Sequence, residues 1–318
     1  MTPTSPTGVI LAAGQGRRMG RIGLDRAKPC LPVGNRPLLH HHLDLFAQMQ
    51  LETAVIVVGF RAEAVVAVAN AHPAVRSGSI QLRFVEQEHR GGIAHALRLT
   101  REVVHEHLVV VLGDTYLVPG DLRAPLELLT GQGGPPFAAV LSVRREEDPE
   151  AIRRECSVRF DGAGRLLEIR EKPERPFNDL KPCGLYFFDR RIFAAIDRTV
   201  PSPLRGEVEI TDAIQELVSM GELVGQASAV AWDVNLNTPA DLLLANLAEL
   251  RRRGEERLLG HDAQVHEDAV LERVVIGDRA RVLAPARLID CLVLDDAVLA
   301  EPVRLQNCIL VGDQVVRP

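Results

Sequence analysis

Five cationic side chains, Arg17, Arg18, Arg21, Arg26 and Lys28, fall between residues 17 and 28, directly after the apolar run Gly8-Val-Ile-Leu-Ala-Ala13. Only Asp25 opposes them, in a chain whose formal net charge is -6. A glycine-rich turn that follows a strand points backbone N–H groups at an anion, and basic side chains beside it add charge. Phosphate binding is therefore the chemistry this stretch suggests. The spacing fits neither common phosphate fingerprint. GxxxxGK[ST] cannot be laid over Gly14-Gln-Gly-Arg-Arg-Met-Gly20, and Gly14-x-Gly16 lacks the third glycine of GxGxxG. Nor does an acidic residue follow about twenty positions on, where Arg36-Pro37 stands, so a dinucleotide-dependent oxidoreductase is disfavoured.

A second candidate is Asp114, which closes the apolar run His107–Gly113. Parallel sheets place ligands at the carboxyl ends of their strands, and a carboxylate there suits Mg²⁺ bridging phosphate oxygens. The triple His40-His41-His42 does not make a metal site, because successive helical residues point in different directions. No GxSxG is present, and no cysteine has an evident catalytic partner.

The elements that must position these groups alternate between periods. Runs at 8–13, 53–59, 80–86 and 107–114 read as buried parallel strands. Helical patterns at 36–50, 61–71, 92–105 and 121–130 separate them, which implies a sheet covered on both faces. From 137 the chain turns β-rich, with a turn signal at Asp161-Gly162, and helices follow at 209–221 and 239–253. Pro239 suits a first helical turn capped by Thr238 or Asn237, and 251–256 reads as a linker. Beyond about 258 a repeat takes over: 274–282, 292–300 and 309–316 place Gly277, Asp295 and Gly312 at spacings of 18 and 17. A three-sided β-coil with about six residues per side needs such a repeat.

Composition bounds the rest. Apolar residues make up 46 % of the 318 and charged residues 25 %, ordinary for a soluble protein. An acidic balance gives no general attraction to nucleic acid or an anionic membrane. No apolar stretch reaches the ~18 residues that span a bilayer, and the first residues lack the form of an export signal. Five scattered cysteines, never in CxxC spacing, fit reduced thiols in a cytoplasm.

Taken in order, "LAAGQGRRM…KPCLPVGNRPLL", "QEHRGGIAHAL", "VVVLGD", "EIREKP", "RGEVEITDAIQEL" and "NTPADLLLAN" resemble the successive motifs of the sugar-1-phosphate nucleotidylyltransferases. The stretch from "DLKPCGLYFFD" to "GEVEITDAIQ" is most similar to the longer glucose-1-phosphate thymidylyltransferases. The resemblance implies a Rossmann-like, mixed but mostly parallel α/β nucleotidyltransferase domain over 1–254. A short left-handed β-helix tail would follow over 255–318.

It also implies a Mg²⁺-dependent reaction of a nucleoside triphosphate with a sugar-1-phosphate, releasing pyrophosphate. Glucose-1-phosphate with dTTP or UTP is the first expectation. Mannose-1-phosphate guanylyl transfer and a non-catalytic nucleotide-sugar-binding regulatory paralogue are the alternatives. By the same resemblance, Gly14 and Gly16 close the backbone around the triphosphate, Arg18 holds its outer phosphates, and Lys28 neutralises charge near the α-phosphorus. Asp114 holds the metal, with Asn235 or Asp233 as second ligand. Gln87 and Gly92 meet the base, Lys172 grips the sugar phosphate, Glu171 accepts from sugar hydroxyls, and Glu209 lines the sugar pocket. Arg21 and Arg26 receive no role and read as solvated, and Arg17 likewise. The chain departs from the family pattern at Pro29 and at Cys156, which stands where a sugar-facing glycine is expected. Self-association through the apolar tail repeats is compatible with the sequence.

Overall fold

The computed structural model describes residues 5–132, 134–202 and 206–318. The first four residues, on which the reading of the N-terminus partly rests, and Arg205, which opens one motif, lie outside them. The chain divides into two compact units, Met1–Gly14 with His42–Asp233, and Gln15–His41 with Val234–Pro318. This division does not follow a cut at residue 254: the opening loop groups with the C-terminal part of the chain.

The first unit is built on seven strands: β1 (Thr7–Leu11), β2 (Thr53–Val58), β3 (Gln81–Glu86), β4 (His107–Leu112), β5 (Ala139–Arg145), β6 (Leu180–Asp189) and β7 (Val224–Ala227). Their order across the sheet is β7-β5-β6-β4-β1-β2-β3. Neighbours are parallel except at β6, which runs antiparallel to both β4 and β5. β-branched runs such as Val109-Val-Val111 form strands because their stiff side chains pack well on a pleated surface. Alternation then sends Val9 into a buried cluster with Val110, Leu141, Tyr186 and Phe188. Gly8, one residue earlier, lies against Phe46, which a Cβ at Gly8 would approach to 2.4 Å. β3 departs from expectation. As the last strand of the sheet it exposes Gln81, Arg83 and Glu86 instead of being buried throughout.

Two helices of this unit, α1 (Arg191–Arg198) and α2 (Ile210–Ser219), bury Ile192, Ile196, Ile214 and Leu217 in the cluster that holds Val110 and Phe188. The helix expected over 92–105 is shorter, Ile93–Arg98, and the Thr100 hydroxyl donates to the Leu97 carbonyl just beyond its end. The β-rich middle region forms a hairpin of Cys156–Phe160 with Leu166–Glu171 across the Asp161 turn, whose carboxylate accepts from the N–H groups of Ala163 and Arg165.

The second unit holds the opening loop, helix α3 (Pro239–Arg253) and the tail. α3 begins as the sequence indicates, with Thr238 as N-cap in a reciprocal pair with Asp241 and Pro239 in the first turn. It extends through Arg253, so the basic end is helix rather than linker, because Arg252 and Arg253 both pair with fully buried Glu249.

In the tail, strands Val270–Ile276, Ala286–Val293 and Val303–Val311 stack in parallel, and Arg281–Val282 pairs in parallel with Val298–Leu299. Val274 faces Cys291, and Cys291 faces Cys308, a constant offset of 17 residues. That offset corrects the expected alignment by one place, since it superposes Asp278 on Asp295 rather than Gly277 on Asp295. The physical reason is the backbone: Asp278 N–H donates to Asp295 Oδ1 at 3.1 Å, and His261 N–H donates to Asp278 Oδ1 at 2.8 Å. Repeated aspartates thus tie each coil to the one before it.

Candidate functional site

Gly16 sits at φ +65°, in the left-handed region, and a Cβ there would come within 2.9 Å of Lys28 Cγ. Glycine is required on both counts. It lets the chain turn into the short helical segment Arg17–Met19 while the Lys28 stem lies across the turn. Lys28 is only 7 % exposed, and its ammonium donates to Asn237 Oδ1 at 2.9 Å. Arg18, on the exposed side, donates to the same oxygen at 3.0 Å. Two cations ten positions apart in the sequence therefore converge on one neutral amide oxygen just ahead of α3. Gly14 is exposed, and a side chain there would enter open space.

Arg26 is not merely solvated, as the sequence reading has it: its guanidinium pairs with Asp295 Oδ2 at 2.8 Å. Asn235 is half-buried at the end of the strand Val230–Asn235. His41 donates to the Val33 carbonyl at 2.9 Å. In the first unit, buried His42 donates to the Thr115 carbonyl at 2.7 Å, and the separate partners agree with the divergent directions read from sequence.

In the first unit, Asp114 is half-buried directly beyond β4, and Gly113 N–H donates to the Leu11 carbonyl at 3.0 Å, closing the strand end onto β1. Gln87 follows the same end of parallel β3, its N–H bonded to the Val58 carbonyl at 2.8 Å. The Gln87 amide donates to the Gly92 carbonyl at 3.2 Å and lies 3.0 Å from His95 Nδ1. Gly92 has φ +98°, and a Cβ would stand 2.5 Å from the Val208 carbonyl oxygen. Gln87 and Gly92 thus form one hydrogen-bonded loop.

Lys172 is exposed at φ +43°, its N–H held by the Glu155 carbonyl at 2.7 Å. Its ammonium is 3.6 Å from Glu171 Oε1. Glu171 stands in register with Cys156, and burial, reinforced by the carboxylates of Glu171 and Glu155, pushes the Cys156 thiol well above its usual range. Glu209 is buried at the N-cap of α2, and Asp212 lies in that helix's first turn.

Asp233 is 3 % exposed, and its carboxylate is engaged by two cations: the Arg144 guanidinium and the Lys181 ammonium, the latter at 3.0 Å. Lys181 also reaches Glu155 Oε2 at 2.9 Å, and Arg144 reaches Glu146 at 2.8 Å. Burial opposes the Lys181 charge, yet Asp233 and Glu155 outweigh it and hold its pKa above the ordinary value. Glu155 moves up as well, because its own burial exceeds the opposing pull of Lys181. Sequence reading missed Arg144, Lys181 and Glu155, and read Asn237 only as a candidate helix cap and the start of one motif. No local pattern marks the first three, since Arg144 and Lys181 become neighbours only through the pairing of β5 with β6. Among the described residues, no three His, Cys, Asp or Glu side chains are grouped to hold a metal.

Mostly parallel α/β sheets place their ligand sites beyond the carboxyl ends of the strands, and Gln87 and Asp114 lie just beyond those ends of β3 and β4. The sequence profile described as nucleotidyl transferase matches residues 7–247, and the chain belongs to that family. Among its relatives is a glucose-1-phosphate thymidylyltransferase of Streptomyces antibioticus, 30 % identical over 283 residues, with 86 % of this chain and 74 % of that protein covered. A bifunctional GlmU protein of Methanocaldococcus jannaschii is 28 % identical over 238 residues, or 75 % of this chain; the chain spans about half of that protein, 53 %. A crystal structure of a Bacillus anthracis protein provisionally assigned as a glucose-1-phosphate thymidylyltransferase, in complex with sucrose, matches with TM-score 0.66. It is 28 % identical, and the match covers 76 % of this chain and 94 % of that one. No helix among the described residues is long and apolar enough to cross a membrane.

Proposed function

We propose that the protein transfers a nucleotidyl group from a nucleoside triphosphate to a sugar-1-phosphate, forming a nucleotide sugar and releasing pyrophosphate. Glucose-1-phosphate with dTTP or UTP is the preferred pair. The carrying observation is the convergence of Arg18 and Lys28 on Asn237 Oδ1. A neutral amide oxygen is a weaker partner for a guanidinium or an ammonium than a phosphate oxyanion, so a triphosphate can take its place. The reaction brings two anionic phosphates together, and positioning and charge neutralisation supply most of the catalysis.

In this reading Gly14 and Gly16 admit the triphosphate to the backbone, Arg18 holds its outer phosphates, and Lys28 faces the α-phosphate. Gln87 and Gly92 meet the base. Lys172 binds the sugar phosphate, with Glu171 and Glu209 toward the sugar.

A divalent cation fits Asp114, because Mg²⁺ takes one or two carboxylates and completes its shell with substrate phosphates and water. When bound it would offset phosphate charge. Asp233 does not fit that role, its carboxylate being matched by Arg144 and Lys181. Asn235 is the proposed second protein oxygen. We read the tail as a short left-handed β-helix, and the 17-residue offset between its paired strands supports this because a three-sided turn needs about that length.

Pyrophosphate release by purified Lys28→Met and Asp114→Asn tests the assignment. Each falls by about a hundredfold or more in kcat/KM with little change in Tm. Full turnover by either variant contradicts the role given to that residue.

A further inference from the structure

We propose that the C-terminal coil is a working part of the triphosphate site, with Asp295 acting through Arg26 as a positioning residue for the loop that carries Arg18 and Lys28. The proposal rests on the reading of that loop as the triphosphate cradle. Residues 15–41 group with 234–318 as one compact unit. Two side-chain anchors fasten the loop to the coil. Arg26, two positions before Lys28, pairs with Asp295 at 2.8 Å, with side chains only 31 % and 23 % exposed, so solvent screens this pair less than an ordinary surface pair. Asn35, beyond the other end of the cation cluster, donates from Nδ2 to the Ile276 carbonyl at 2.7 Å.

Asp295 is itself fixed. Its Oδ1 accepts from Asp278 N–H, and Asp278 Oδ1 accepts from His261 N–H one coil earlier. Gly277 leaves the space this carboxylate occupies, since a Cβ there would stand 2.5 Å from Asp295 Oδ1. The line of contact thus runs from the aspartate ladder through Asp295 and Arg26 to the segment of Lys28, whose stem crosses Gly16. Pinning a basic loop before a polyanion arrives lowers the ordering cost of binding. Coupling between two sites is reciprocal in free energy, so a bound triphosphate must in turn stabilise the coil.

The experiment uses the full chain. Asp295→Asn keeps an acceptor for Asp278 N–H but removes the charge facing Arg26, and Arg26→Gln removes the partner charge. Each raises KM for the triphosphate by about threefold or more while KM for the sugar-1-phosphate stays at the wild-type value. Adding a non-hydrolysable triphosphate with Mg²⁺ slows amide hydrogen exchange over 274–297 in wild type but not in Asp295→Asn. Unchanged triphosphate KM in both variants, or exchange protection limited to 14–30, overturns the coupling while leaving the loop's role intact. No protection anywhere in wild type, together with no turnover, overturns the reading of the loop and the proposal with it.

Discussion

Lys181 shows how one side chain decides between a structural and a metal-binding role for a neighbour. It is buried, reaches both Asp233 and Glu155, and holds its charge against desolvation. Removing one partner of a buried ion pair leaves the other uncompensated, so Lys181→Met is expected to cost about 3–5 kcal/mol in urea unfolding. The pH dependence follows from the sign of the shift. The folded-state value lies above the ordinary 10.5, so the stabilisation is complete below 10.5 and is lost as pH climbs through the folded value. Lys181→Met therefore flattens the alkaline limb of the stability profile. A loss well under 1 kcal/mol, with the alkaline limb unchanged, contradicts this account of Asp233. The sequence favours Asn235 slightly, four positions before Pro239, and keeps Asp233 beside it; the guanidinium and ammonium that occupy Asp233 come from strands 89 and 52 residues earlier.

At the scale of elements, α3 supports the opening loop. Asn246 is fully buried: its Oδ1 accepts from Gly34 N–H at 2.8 Å, and its Nδ2 donates to the Pro32 carbonyl at 2.9 Å. The small hairpin of Pro32–Val33 with Arg36–Pro37 carries the loop's return, so these bonds set where the chain runs after Lys28. Asn246→Leu leaves both backbone groups without their side-chain partner, at a cost of about 1–3 kcal/mol each. Denaturant titration should show a loss of about 2–5 kcal/mol with the m-value unchanged; an unaltered midpoint contradicts the assignment. The helix itself was legible from Pro239, its cap and its apolar period, and its boundaries match the structure. Its inward Asn246 and Glu249 were not. Asn246 is held by Gly34 and Pro32, more than two hundred positions away. A Glu249 paired with Arg252 and Arg253 has the pattern of an ordinary surface residue, although it is fully buried. The exposed alternation of β3 was hidden as well, because it depends on the strand's place at the edge of the sheet rather than on local period.

For the whole molecule, β1, β2 and β4 and their parallel pairing were readable because their β-branched runs are short, buried and separated by helical periods. The grouping of residues 15–41 with the tail was not readable. Arg26–Asp295 and Asn35–Ile276 join these residues to the tail and Asn246–Gly34 joins them to α3, contacts with no local signature. The tail's repeat was visible, though one place out of register, since apolar similarity favoured Gly277 over the aspartate that forms the hydrogen bond. Membership of the nucleotidyl transferase family covers 7–247, and in the proposed reading the base and the sugar are chosen by the loops around Gln87, Cys156 and Lys172. Pyrophosphate release by the intact protein with Mg²⁺ is the most direct measurement, made across dTTP, UTP, GTP, CTP and ATP against glucose-1-phosphate, mannose-1-phosphate and no acceptor. Release that requires both a triphosphate and a sugar-1-phosphate, strongest for glucose-1-phosphate with dTTP or UTP, is the predicted result. Binding of both ligands with no turnover in any combination would contradict the account and identify a regulatory binder instead.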